Sequence, residues 1–147
     1  MKSILDKETR NEIIARIESL NKECKSQWGK MNVAQMVKHC RLCDQLYLGK
    51  TKSKRVFTGR IFGQMALRKV LADDKPLARN SPTPPMLTVS EEIEDLEGEK
   101  QKWIALIKEY EFCNEVFIHP FFGNMTKEQL GQFVYKHCDH HLRQFGC

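Results

Sequence analysis

The sequence contains no apolar run close to the ~18 residues that a membrane-spanning helix needs. Its first segment, from Met1 to Asn11, is charged and lacks the apolar core of a signal peptide. Its six cysteines are scattered along the chain and do not form the dense pattern of a disulfide framework. We therefore expect a cytoplasmic protein with free thiols and no membrane partner.

The chain also lacks the features of a nucleic-acid-binding protein. Its net charge of +5 is modest, and its densest cationic stretch, Lys50 to Arg55, contains no aromatic side chain on which a base could stack. A run this short is more typical of a solvated loop, so we expect no nucleic-acid partner. The 147 residues, 41% of them hydrophobic, suit a single domain spanning 1–147.

No repeat and no alternating stretch long enough to require a strand interrupts the helical spacing of the apolar residues. Predicted helices run from residue 6 to about 24, 32 to about 48, 57 to about 72, 90 to about 110 and 126 to about 146. The expected N-caps include Asn32, Ser90 and Thr126. In the third helix the residues expected to face inward are Phe62, Met65, Leu67, Val70 and Leu71.

Residues 73–89 contain four prolines, Pro76, Pro82, Pro84 and Pro85, and cannot form a helix. They are too apolar for a flexible linker, so we expect an extended crossover that lies along the helices. The sequence therefore predicts an all-α bundle with one long crossover.

Histidines occupy positions of the last helix where apolar residues are expected. At about 100° per residue, His137 and His141 lie at the centre of the stripe formed by Leu130, Phe133 and Val134. Two buried imidazoles one turn apart are costly unless each has a partner, and a transition metal uses both at this spacing. A hydrogen-bonded core histidine is the alternative for either residue taken alone.

His39 is the candidate third ligand, because it lies at the inner edge of the second helix. Three imidazoles would leave a coordination position open for water or substrate, the arrangement of catalytic sites. His140 lies about 60° from the stripe centre and is expected to border the site, whereas Asp139 is expected to face solvent. Cys43, about 40° from His39, could supplement it.

Other chemistries are less well supported. No glutamate precedes a histidine by three residues, which excludes the paired motifs of a carboxylate-bridged di-iron bundle. Cys40 and Cys43 have the spacing of a structural zinc site, but two cysteines in an apolar helix stripe are usually buried packing residues. A Cys138–His137 dyad fails on geometry, since adjacent residues point about 100° apart on a helix.

The combination of a second-helix histidine with a late His-x-x-His-His motif resembles the DinB-like (YfiT-type) family of metalloenzymes. The segments HPFFG (119–123) and YKHCDHHLRQFG (135–146) are similar to one subfamily of it. The resemblance covers the layout of the whole chain, but its specific part is the last thirty or so residues. One departure is Leu142, which turns Arg143 about 100° from the position where the family has its arginine.

The resemblance implies a four-helix bundle with an up-down-down-up layout, and a divalent ion, zinc or nickel, held by His39, His137 and His141. It also implies an enzyme acting on small molecules, either a transferase of a low-molecular-weight thiol or a hydrolase. His140 and the His119 loop would border the pocket, and Gln144 could orient a ligand. The alternative is a non-catalytic metal-binding helical module, stress-associated or of another function. A bundle of this size is also compatible with a homodimer.

Overall fold

Short capping signals and apolar spacing divide the chain into helices. A computed structural model describes residues 1–81, 83–113 and 117–147, and within these ranges it contains five α-helices. They are α1 (Lys7–Ser19), α2 (Val33–Tyr47), α3 (Phe57–Val70), α4 (Leu96–Glu109) and α5 (Lys127–Gln144). Two strands, β1 (Phe117–His119) and β2 (Gly123–Met125), form an antiparallel hairpin between α4 and α5. Short 3-10 turns cover Pro85–Leu87 and Tyr110–Phe112.

Four of the helices share one hydrophobic core. Helix α2 packs chiefly on α4. Helix α1 contacts α4 and α5, and α5 also contacts α2. Fully buried core residues come from all four: Ile13 and Ile17 of α1, Met36 of α2, Trp103 of α4 and Leu130 of α5. The contact between α2 and α5 brings together the two helices that carry the candidate ligands.

The expectation of a purely all-α four-helix bundle is wrong, because the chain adds a β-hairpin and a fifth helix, α3, to the four core helices. The hairpin pairs Phe117 with Met125 and His119 with Gly123. Strands of three residues are too short to show an alternating pattern. The turn depends on Gly123, whose φ of +85° is a conformation that glycine adopts without strain.

Helix α3 faces the rest of the protein with two glycines and with Leu67, which confirms the expectation for Leu67 but not for Phe62 and Met65. Its buried residues are Gly59, Gly63 and Leu67, whereas Phe62 and Met65 are 51% and 65% exposed. A Cβ atom at Gly59 or Gly63 would lie only 2.3 or 2.1 Å from the carbonyl oxygen of Phe121. The expectation that Phe62 and Met65 point inward is therefore wrong, because close backbone contact selects the glycine face.

Capping confirms some predicted helix boundaries and corrects others. Asn32 begins α2 and Thr126 begins α5, each with a complete capping box. Helix α1 ends at Ser19, short of residue 24, and an Asn21 side chain accepts from the Glu23 N–H in the turn that follows. Helix α4 begins after Asp95, whose carboxylate accepts from the Gly98 N–H, and not after Ser90.

The proline-containing crossover lies against the bundle. Leu87 and Val89 are buried there, and the Leu87 carbonyl oxygen accepts a hydrogen bond from α2. Pro82, one of the four prolines of this segment, lies outside the described residues. Within the described ranges, no helix is long and apolar enough to cross a membrane.

The polar side of α5 is not solvated as expected. Asp139 is only 7% exposed and accepts hydrogen bonds from Arg16 of α1 at 2.8 Å and from Arg143 at 2.7 Å. Lys136 is likewise buried and donates to the carbonyl oxygens of Val70 and Asp73. The expectation for Asp139 is wrong because α1 and the end of α3 cover this side of α5.

Candidate metal centre

Three imidazoles from two helices meet in one buried cluster. The ring centroids of His39 and His141 are 4.8 Å apart, those of His137 and His141 are 4.8 Å apart, and those of His39 and His137 are 5.5 Å apart. The residues are only 4%, 9% and 8% exposed for His39, His137 and His141. The rings of the three histidines that the sequence singled out are therefore neighbours, although their ligand atoms are not among the described groups that lie within 4.8 Å of one another.

Backbone and amide groups hold the outer nitrogens of two of these rings. His39 Nδ1 lies 2.8 Å from the Leu87 carbonyl oxygen, which can only accept, so Nδ1 carries the proton. Nε2 is therefore unprotonated, with the Cys43 thiol 3.6 Å away. His141 Nδ1 lies 2.9 Å from Gln144 Oε1, an amide oxygen that can only accept, so this Nδ1 also carries the proton. Metal-binding histidines usually donate their second N–H in this way, which fixes the tautomer and the ring orientation.

Gln144 is itself held in place by the loop before α2. Its amide Nε2 donates to the Trp28 carbonyl oxygen at 2.7 Å, so its Oε1 faces His141. Gly29 permits this approach, since its φ is +80° and a Cβ there would lie 2.6 Å from Gln144 Nε2. Both ends of the Gln144 amide thus have partners in the protein, and the residue positions His141.

His137 has a buried nitrogen that has no partner among the described residues. Its Nδ1 forms no hydrogen bond with any of them, which is costly for a buried polar atom and is explained if a ligand occupies the site. Burial, together with the neighbouring His141 and His39, lowers the pKa of His137 well below its ordinary value. Burial also lowers the pKa of His39 and brings that of His141 to about 3. All three rings are neutral at pH 7, the form that binds metal.

Two cysteines of α2 lie beside the imidazoles. Among the described residues, ligand atoms come within 4.8 Å of one another in two groups, His39–Cys43–His137 and Cys40–His137–His141. Cys43 Sγ is 3.6 Å from His39 Nε2, about the separation of sulfur and nitrogen on one tetrahedral zinc ion. The i, i+4 spacing of His39 and Cys43 signals this contact, whereas nothing in the sequence distinguishes Cys40 from a packing residue.

His140 lies at the edge of the cluster. Its ring contacts those of His141, at a centroid distance of 5.0 Å, and Trp28, at 5.5 Å. It lines a surface cleft of about 380 Å³ together with Trp28, Arg79 and Arg143. His140 is therefore the histidine through which the buried cluster adjoins a cleft.

His119 supports the hairpin turn. Its Nδ1 accepts from the N–H groups of Phe121 and Phe122 at 3.1 and 3.2 Å. Burial, helped by nearby Arg55, lowers the pKa of His119 to about 4. The ring stacks on Tyr47, which in turn contacts His137 edge-on. His119 thus lies behind Tyr47 and shapes the wall of the site.

These features define a mainly helical protein with a buried cluster of three histidines. Residues 1–146 match the family DUF1569, whose description is protein of unknown function, and the chain belongs to that family. No curated protein and no solved structure is significantly similar to it. The family description specifies no reaction, so an assignment of function depends on the chemistry of the site.

Replacing Gln144 by Leu is expected to weaken zinc binding by about 10- to 100-fold, because the His141 ring loses the acceptor that fixes its tautomer. Competition titration against a chromophoric chelator measures this affinity. Gln132→Leu, the same change on a part of α5 remote from the cluster, is the matched control. Equal affinities in wild type and Gln144→Leu would show that the amide does not position a ligand.

Proposed function

We propose that this chain is a divalent-metal-dependent enzyme whose ion, zinc or nickel, is held by His39, His137 and His141. The observation that carries the proposal is the unpartnered Nδ1 atom of His137. It lies in a cluster of neutral imidazoles, and two of these have their outer nitrogens fixed by Leu87 and Gln144. This donor set fits a transition metal, since neutral nitrogen donors suit zinc and nickel.

A metal ion bound by three imidazoles would supply Lewis acidity and activate a water molecule or a thiolate at neutral pH. The residues of the chain bind and orient the reactants. His140 lines the adjoining cleft, where its imidazole can accept a proton from a substrate. The adjoining cleft is large enough for a small molecule.

The reaction class we favour is transfer of a low-molecular-weight thiol to an electrophile, or hydrolysis. Support comes from the resemblance of the HPFFG and YKHCDHHLRQFG segments to the DinB-like family. We place the protein in a reducing cytoplasm, which is supported by the six cysteines, all of them free. Turnover in a screen of thiol acceptors and of hydrolysable esters and amides, lost in His137→Ala, is the expected result.

A non-catalytic metal-binding module is the second candidate. The burial of all three imidazoles favours it, since a structural site needs no path for substrate. Metal-loaded protein that binds its ion tightly, but turns over nothing in the same screen, would decide for this alternative.

Cobalt substitution is expected to identify the ligands. With three imidazoles and no thiolate, Co²⁺-loaded protein should show visible d–d absorption without a thiolate-to-cobalt charge-transfer band in the near ultraviolet. In the metal-free protein burial raises the pKa of the Cys43 thiol, which opposes its coordination as a thiolate. His141→Ala should change the d–d spectrum, and Cys43→Ser should leave it as in the wild type.

Cys138→Ser is the matched control, because Cys138 is a buried cysteine of α5 that belongs to neither group of close ligand atoms. A charge-transfer band that disappears in Cys43→Ser and persists in Cys138→Ser would contradict the three-histidine set. It would assign the site to His39, Cys43 and His137.

A further inference from the structure

Helix α3 presents an exposed apolar surface that no other part of the described chain covers. We define the α3 surface as Val56, Phe57, Ile61, Phe62 and Met65. Their exposed fractions are 40%, 73%, 63%, 51% and 65%. Single exposed apolar residues are ordinary, but five on and beside one helix of a small protein indicate an interaction site.

The packing of α3 prevents this surface from turning inward. Gly59 and Gly63 contact the backbone at Phe121 so closely that no side chain would fit between them. On the opposite side of the helix, Ile61 and Met65 point most directly outward. The Gln64 amide adds hydrogen bonds of 2.8 Å to the carbonyl oxygens of Phe122 and Asn124. The packing of α3 on the hairpin therefore keeps this apolar face exposed.

The segment that contains α3 carries charge of one sign, although Lys50 pairs with Glu109 of α4 at 2.8 Å and Asp73 and Asp74 follow the segment directly. Residues 49–72 contain no Asp or Glu and seven cationic residues: Lys50, Lys52, Lys54, Arg55, Arg60, Arg68 and Lys69. All of them are exposed except Arg55, which is half-buried. Four precede the helix and two lie in its last turn, so cations flank the apolar side chains at both ends.

This charge distribution favours an anionic membrane over a second copy of the chain as the partner of the apolar face. A second copy of the chain would place this cationic segment against the same cationic segment, and like charges facing each other are destabilising. A basic amphipathic helix with large apolar side chains is instead typical of proteins that bind at the surface of an anionic membrane. Helix α3 contacts β2 of the hairpin. The cationic residues Arg68 and Lys69 in its last turn and Lys52 and Lys54 before it are exposed.

We propose that α3 binds the surface of an anionic phospholipid bilayer. The flanking lysines and arginines contact headgroup phosphates, and Phe57, Ile61 and Met65 enter the boundary between headgroups and acyl chains. This replaces the expectation of no membrane partner, which came from the absence of a membrane-spanning run. The proposal is independent of the metal centre, since no α3 residue belongs to the histidine cluster.

Co-sedimentation with lipid vesicles tests the proposal. Full-length protein is expected to bind vesicles of mixed phosphatidylglycerol and phosphatidylcholine, and to bind vesicles of phosphatidylcholine alone far more weakly. Partitioning should fall as salt is raised, because screening weakens attraction between the cations and the headgroups. Lys52→Gln/Lys54→Gln should weaken partitioning about 30-fold, at about 1 kcal/mol for each cation near the surface.

Two matched controls distinguish binding through the α3 surface from non-specific apolar or electrostatic binding to the vesicles. Phe57→Ser should reduce binding about tenfold or more, whereas Phe112→Ser should not, although Phe112 is 77% exposed outside α3. Lys22→Gln/Lys108→Gln removes the same charge as the α3 double variant and should have little effect. Circular dichroism and thermal unfolding show whether each variant is folded.

Several outcomes would overturn the proposal. One is equal binding to both kinds of vesicle, and another is no binding to either. A third is a concentration-dependent dimer in analytical ultracentrifugation that Phe57→Ser dissociates, which would make the α3 surface a contact between copies. Loss of binding in the Phe112→Ser or Lys22→Gln/Lys108→Gln controls would show that the attraction is not specific to α3.

Discussion

Zinc is expected to raise the free energy of unfolding of the wild-type protein by about 2.7 kcal/mol when its free concentration is a hundred times the dissociation constant. His137→Ala is expected to lose nearly all of this gain. The folded chain assembles His39 of α2 with His137 and His141 of α5, whereas the unfolded chain does not hold them together. Binding energy therefore appears as folding energy. Urea unfolding with zinc and with a chelator measures the difference.

The quantity to compare is the gain in free energy of unfolding that zinc produces in each protein. His137→Ala also creates a cavity, so it would lower stability even without any metal. His119→Ala is the comparison, since it removes a histidine that supports the hairpin turn. It should lower the stability of the metal-free protein and retain the zinc increment. An increment that survives in His137→Ala would rule out the proposed centre.

The sequence indicated the histidine cluster because helical phase is a local property. The spacing of His137 and His141 within an apolar stripe places both on the inner face of α5, whatever the rest of the chain does. The hydrogen-bond partners that orient the rings could not be predicted from helical phase. Leu87 lies in the crossover and Trp28 in a loop, and each meets its partner only through tertiary packing.

The errors in the fold have similar physical causes. An apolar pattern identifies the face of a helix that carries large side chains, and in α3 the buried face is instead the one with Gly59 and Gly63. The three-residue strands of the hairpin are below the length at which alternation is visible. Asp139 is covered because Arg16, 123 positions away in the sequence, lies beside it. Local periodicity therefore predicted most helices but not what lies against them.

A buried carboxyl of α2 is expected to make the free energy of unfolding depend strongly on pH. Asp44 is fully buried and accepts hydrogen bonds of 2.7 Å from Trp103 Nε1 and from the Tyr110 hydroxyl. Burial raises the pKa of Asp44 to about 7, although both hydrogen bonds act in the opposite direction. The neutral acid is therefore the favoured form in the folded protein at mildly acidic pH, and its ionisation near neutrality costs stability.

Asp44→Asn is expected to become more stable relative to the wild type as pH rises. The folded-state pKa of about 7 lies above the ordinary value of 3.8, so the folded wild type binds more protons than the unfolded chain between these values. Its free energy of unfolding then falls with rising pH and levels off above the folded pKa. From pH 5 to pH 8 the wild type should lose about 3 kcal/mol relative to Asp44→Asn, which has no titrating group there.

The comparison by urea unfolding isolates Asp44, because the buried histidines titrate in both proteins. Their lowered pKa values make stability fall as pH drops below about 6.5, and this contribution cancels in the difference. Tyr110→Phe provides an independent check. It removes a hydrogen bond that lowers the pKa of Asp44, so the pH at which stability levels off should move upward. A constant difference between wild type and Asp44→Asn would mean that Asp44 stays ionised in the core, held by its two donors.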